Sequence, residues 1–160
     1  MAYGIRYGLV EGEGKGREIP LTPDQYFHRQ GGHFVQLIAG NATLCASGVT
    51  KVFGWAETPK QADGYEAWKG SATAEADKLF IMYADPDNVF AIPATLSTTY
   101  KSVAASLVGK GCGLVLGGTT YTIRQYAKIG TTATPLFIVD VDSDHDILYV
   151  KVKQTKRQAN

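Results

Sequence analysis

At 160 residues the chain has the length of one domain with an appendage, enough to bury one core. A hydrophobic content of 44% excludes a disordered chain, and 19% charged residues with a formal net charge of +1 exclude a protein drawn to nucleic acid by net charge alone. Eighteen glycines and nine tyrosines, with few helix-forming runs, point to β-structure with many turns.

The opening stretch MAYGIRYGLVEGEGKG has neither a cationic region ahead of an apolar stretch nor a small-residue cleavage site. The expectation is a protein made in the cytoplasm and not exported. Residues 1–33 differ in character from the rest of the chain: Gly4, Gly8, Gly12, Gly14, Gly16, Gly31 and Gly32 interrupt every apolar run, and Pro20 and Pro23 add stops. This predicts an extended N-terminal arm. Its charges balance, and Tyr3, Tyr7, Tyr26 and Phe27 give it apolar contact area, to be buried either on its own domain or on a neighbouring subunit.

From residue 34 the period becomes two, and a β domain is expected over 34–153. Phe34 to Ala39 reads as a first strand and Val49 to Ala56 as a second, with Val49, Phe53 and Trp55 on one face. Residues 57–78, with Pro59, Gly64 and Gly70, read as a long loop or excursion. Leu79 to Ala84 is a continuous apolar run; Asp85-Pro86-Asp87-Asn88 offers a tight turn, and Val89 to Ile92 returns, which predicts a hairpin.

One α-helix is expected next. Ser97 or Thr98 can cap it, Tyr100, Val103, Ala104, Leu107 and Val108 make one apolar stripe, and Gly109 and Gly111 stop it. Strands are then expected at Leu114 to Leu116, Thr120 to Ala127, Leu136 to Asp142 and Ile147 to Lys153. In the last, Leu148, Val150 and Val152 alternate with Tyr149, Lys151 and Lys153, the pattern of a sheet with one wet face. The whole predicts a mainly β fold, a small antiparallel β-barrel or sandwich with one α-helix, followed by a basic tail over 154–160.

Chemistry is sparse along the chain. Gly12 to Gly16 and Gly109 to Gly113 are glycine-rich with a lysine, but neither fits a phosphate-binding loop. Asp140, Asp142, Asp144 and Asp146 alternate as calcium ligands can, yet His145 stands where such a loop needs Gly and Lys151 where it needs a closing Glu. The better reading is a polar hairpin turn over Ser143 to Asp146. His28, His33 and His145 show no ligand spacing, and Cys45 and Cys112, far apart, read as two buried thiols. No catalytic, cofactor or metal residues are assigned, and an enzyme is not expected. No apolar run approaches the roughly 18 residues of a membrane span.

Lys151, Lys153, Lys156 and Arg157 form a basic end, and Tyr121, Tyr126 and Tyr149 could stack bases as OB-folds do. The acidic run beside them would repel phosphate, so single-stranded nucleic-acid binding is the alternative rather than the expectation.

The order VTKVFGWAE at 49–57, DKLFIMYADPDNVFAIPA at 77–94, YKSVAASLVGKGCGL at 100–114, LFIVDVD at 136–142 and ILYVKVK at 147–153 resembles the head decoration, or capsid cement, proteins of tailed bacteriophages. The resemblance is one of order and spacing. It implies a virion structural protein on the outer capsid surface, made in the host cytoplasm, bound to the major capsid protein and to itself as a homotrimer or other symmetric oligomer. Such a protein stabilises the expanded head. The arm then becomes the clamp, with Tyr3, Arg6, Tyr7, Arg17, Tyr26 and Phe27 as contact residues. Another virion component, such as a tail or spike-associated protein, is the neighbouring alternative.

Overall fold

The computed structural model describes residues 7–29, 31–59, 67–95, 102–118 and 123–158. Among them run thirteen strands: β1 (Gly8–Glu11), β2 (Gly16–Pro20), β3 (Tyr26–His28), β4 (Gly32–Ile38), β5 (Asn41–Leu44), β6 (Gly54–Glu57), β7 (Ala67–Lys69), β8 (Lys78–Tyr83), β9 (Val89–Thr95), β10 (Gly111–Gly117), β11 (Arg124–Ile129), β12 (Leu136–Asp142) and β13 (Ile147–Val152).

They form two curled sheets and a ribbon. The first has the order β1-β9-β11-β10-β12-β13, and β13 returns to pair with β9, so the sheet closes on itself. The second has the order β2-β8-β6-β4-β5, and a parallel bridge from Leu21 to Ala42 brings its two edges together. The ribbon is β3 with β7. Curling leaves few bare edges, which limits pairing with stray chains.

At its centre, where β4, β6 and β8 lie side by side, the second sheet is a wall with a hydrophobic cluster on each face. Phe34, Trp55 and Met82 lie side by side across β4, β6 and β8 and face one hydrophobic cluster, shared with the first sheet. Their neighbours Val35, Ala56 and Ile81 point the other way into a second cluster with Ile19, Phe27, Leu44 and Phe53. The sheets meet at an aromatic trio. Phe34 packs edge-on to Trp55 at 4.9 Å and to Phe90 at 5.1 Å between ring centroids, while Trp55 and Phe90 stack at 5.8 Å.

Four expectations change. The chain over 7–29 is not extended away from the domain but is woven into it, one of the two placements expected: β1 joins the first sheet, β2 the second, and β3 the ribbon. Glycines here allow close backbone approach rather than looseness; a Cβ on Gly16 would collide with the Ile81 carbonyl of the adjoining strand. The α-helix is not found where the chain is described. Ala104 is extended (φ −146°, ψ 161°), only a 3-10 turn forms over Ala105–Leu107, and the expected cap at Ser97 or Thr98 and Tyr100 lie outside the described residues. Apolar spacing of three and four here serves Val103 and Leu107, which reach the first cluster from a loop.

The hairpin at 79–92 has its turn but not its pairing. Asn88 N–H donates to the Asp85 carbonyl at 3.0 Å, and the Asn88 side-chain amide to the Tyr83 carbonyl at 3.0 Å. Yet β8 pairs with β2 and β6, while β9 pairs with β1, β11 and β13, so the turn is a corner between sheets. Likewise Phe53 and Trp55 do not share a face: strand geometry begins only at Gly54, and Phe53 turns into the second cluster, Trp55 into the first. The 57–78 excursion carries β7, and the basic tail is tied down over 154–158 by a bridge from Arg157 to Val52.

Candidate functional site

Of the expected contact residues, Tyr3 and Arg6 lie outside the described residues. Phe27 is fully buried in the second cluster, so its ring serves the fold and not a partner. Tyr26 is half-buried beside Lys69, whose ammonium lies 5.8 Å from its ring centre, and Tyr7 is half-buried. Arg17 alone is well exposed, on β2, which pairs with a single neighbour, β8. Of the four described residues, one is in the core, two are half-buried and one is exposed.

The structure gathers other residues. Where the two sheets and the ribbon converge, His28 of β3, His33 of β4, Arg124 of β11 and Tyr7 ahead of β1 form a polar seam. Arg124 Nη2 lies 3.2 Å from His28 Nε2, and its guanidinium carbon 5.5 Å from the Tyr7 ring centre. A guanidinium only donates, so Nε2 of His28 accepts. The backbone N–H of His28 in turn donates to Nε2 of His33 at 3.4 Å. That fixes the ring proton of neutral His33 on Nδ1, a buried donor with no acceptor among the described residues. His33 also stacks on Phe27 at 5.8 Å. The approach of Tyr7 depends on Gly31, whose φ of +134° and missing Cβ leave room for the Tyr7 carbonyl.

Burial, reinforced by Arg124 and Arg29, pushes His28 down to about 4; burial, reinforced by His28 and Arg124, pushes His33 down to about 3. Burial raises the Tyr7 hydroxyl, with Arg124 opposing it. Imidazoles held this low stay neutral near pH 7 and are weak bases there. What the seam does is mechanical: one guanidinium and two acceptor nitrogens join three separately hydrogen-bonded units.

Three glutamines do the same with backbone as partner. Phe34 N–H donates to Gln125 Oε1 at 2.7 Å, while Gln125 Nε2 donates to the carbonyls of Phe34 at 3.0 Å and Cys45 at 2.9 Å. Gln25 accepts from Leu44 N–H at 2.7 Å and donates to the Ala42 carbonyl at 2.7 Å. Gln158 brackets Leu37 in the same way, at 2.7 and 2.8 Å. Each amide completes strand hydrogen bonding with one side chain. No local sequence pattern announces this.

The remaining motifs resolve locally. Asp142 Oδ1 accepts from Asp144 N–H at 3.0 Å and His145 N–H at 3.2 Å, and Oδ2 lies 2.9 Å from His145 Nδ1, so the run forms a side-chain-stabilised turn. The bond to His145 is the main reason the Asp142 carboxyl titrates below its usual range. No three His, Cys, Asp or Glu side chains converge among the described residues. Both cysteines are buried free thiols, pushed up by burial, Cys112 to about 12. The basic end is dispersed: Lys153 bonds Thr134 at 2.9 Å, and Arg157 bonds the Ala84 carbonyl at 3.3 Å with Asp85 at 3.8 Å. Tyr121 lies outside the described residues.

Among the described residues no helix is long and apolar enough to cross a membrane. Set against models of known families, curated proteins and solved structures, the chain matches none of them.

Proposed function

We propose that this chain is a virion structural protein, a decoration or cement protein that binds the outer face of a tailed-phage capsid lattice and stabilises the expanded head. The major capsid protein is its partner, and copies of the chain associate in a symmetric array. The support from sequence is the order of segments over 49–153 that resembles this group. The observation that carries the reading is the β2 edge of a doubly curled, interlocked body. There Arg17 and Glu18 are exposed on a strand bonded along one side only, and Phe80, opposite Glu18 on β8, is 40% exposed. A rigid body with a mixed apolar and charged strand edge at β2 suits a protein that must add a strand contact at many identical lattice sites.

The test is co-sedimentation with expanded, empty capsids. Full-length protein saturates them, and Arg17→Glu with Phe80→Ser abolishes saturation while leaving the thermal midpoint near that of the parent. Removing residues 1–30 is not a clean control, because it takes β1, β2 and β3 out of the sheets. Failure of the full-length chain to sediment with capsids at any salt overturns the proposal.

A further inference from the structure

On the outer face of the first sheet, a trough of about 480 Å³ crosses four neighbouring strands, β1, β9, β13 and β12. Two β-bulges shape it. In β1, Leu9 partners Phe90 and Glu11 partners Val89, which leaves Val10 as the extra residue. In β12, Ile138 partners Val150 and Asp140 partners Tyr149, which leaves Val139 as the extra residue. Both bulged valines line the trough, together with Val89 and Tyr149. A bulge re-aims a side chain out of the pleat, and here two separate bulges re-aim apolar side chains into one concavity. Val10 keeps 49% of its surface exposed, a position that water alone does not favour.

The trough is lined by two carboxylates and one ammonium: Glu11 of β1 and Asp140 of β12 lie on the two outer strands of the four, with Lys151 on β13 between them, and none of the three makes an ion pair among the described residues, while Asp140 Oδ1 accepts from Val141 N–H at 2.8 Å. β12 ends at Asp142, whose carboxyl is engaged by His145, and the turn beyond it exposes Asp144 and Asp146. The complement of a concavity lined by Val10, Val139 and Tyr149 with a carboxylate on each outer strand is a short apolar segment with a cationic side chain at each end, because strict alternation would turn the cations of an extended chain away from the surface that its apolar side chains face.

We propose that this trough receives an extended segment of a partner protein in which a short apolar stretch is flanked on each side by Lys or Arg. Its apolar side chains cover Val10, Val139 and Tyr149, and its cations meet Glu11 and Asp140. The inference stands on the isolated chain and does not need the capsid reading.

The experiment is fluorescence anisotropy on the full-length protein with labelled peptides in which a Val stretch is flanked by Lys (Lys-Val) or by Glu (Glu-Val), or a Ser stretch is flanked by Lys (Lys-Ser), with sedimentation velocity alongside. The Lys-Val peptide binds saturably with a Kd on the order of 100 µM or tighter, as fits a small contact. The Glu-Val and Lys-Ser peptides bind at least about tenfold more weakly. Glu11→Gln with Asp140→Asn weakens the Lys-Val peptide about five- to tenfold, the effect of two exposed charges. Val10→Ser with Val139→Ser abolishes saturation, and Glu11→Lys with Asp140→Lys transfers preference to the Glu-Val peptide. All these sites are at least partly exposed, and circular dichroism confirms that each variant folds. Absence of Lys-Val binding below about 1 mM overturns the proposal. So does equal binding of all three peptides, or self-association of the parent that the valine variants remove, which would make a second copy the occupant.

Discussion

Single side chains hold the separate units of this fold together, and their removal carries a large cost. Replacing Gln125 by Ala leaves the buried Phe34 N–H without its acceptor and removes two further bonds, so unfolding free energy from urea titration falls by about 2–4 kcal/mol. Gln125→Glu is worse than Ala, because a carboxylate would face the carbonyls of Phe34 and Cys45; equality of the two variants would contradict this role. The histidines of the seam set a pH dependence with a definite sign. Their folded values, about 4 for His28 and about 3 for His33, lie below the unfolded value of about 6.5, so the unfolded chain takes up protons first as pH falls. Stability is full above pH of about 6.5 and declines from there, the His28 contribution being lost by about pH 4 and that of His33 by about pH 3. Urea midpoints between pH 7.5 and 4.5 show this slope in the parent and a shallower one in His33→Phe; an unchanged slope in that variant would mean that His33 takes no part in the pH dependence.

At the level of elements, what was legible in the sequence depended on how many faces of a strand are wet. The β12–β13 hairpin was readable because Leu148, Val150 and Val152 alternate with outward residues, and its turn because Asp142 and Ser143 are turn formers. β4, β6 and β8 were readable only as apolar runs; a strand buried on both faces has no alternation, so its pairing partners are invisible locally. That is why the corner at Asp85 to Asn88 resembled a hairpin. β1, β2 and β3 were hidden by glycines that serve close packing, and the Val103–Leu107 spacing imitated a helix. Of the expected contact residues that are described, only Arg17 kept an exposed place; the seam and the three glutamines join residues up to 121 positions apart, a distance over which no motif acts. The aromatic trio where the sheets meet gives the energetic test at this scale: Phe90→Ala, which removes a fully buried ring touching both Phe34 and Trp55, costs about 3–5 kcal/mol in denaturant unfolding. A loss below about 1 kcal/mol would mean that the sheets are held elsewhere.

For the whole molecule, a wall shared by two hydrophobic clusters makes the two curled sheets one cooperative unit. Trp55 lies in the first cluster and Trp68 packs against the second, so single-tryptophan variants report on each. Their fluorescence transitions in urea coincide; separated midpoints would show two independent units. Such a rigid body, with an exposed strand edge at β2, is what the proposed role on a capsid demands. A decoration protein must above all strengthen the shell it covers. The most direct measurement is therefore the temperature at which DNA-filled heads lacking this protein release their DNA, recorded with and without added purified chain. A decoration role predicts a release temperature that rises with added protein until the lattice sites are full, and no rise with the Arg17→Glu and Phe80→Ser variant. An unchanged release temperature at saturating protein would contradict it.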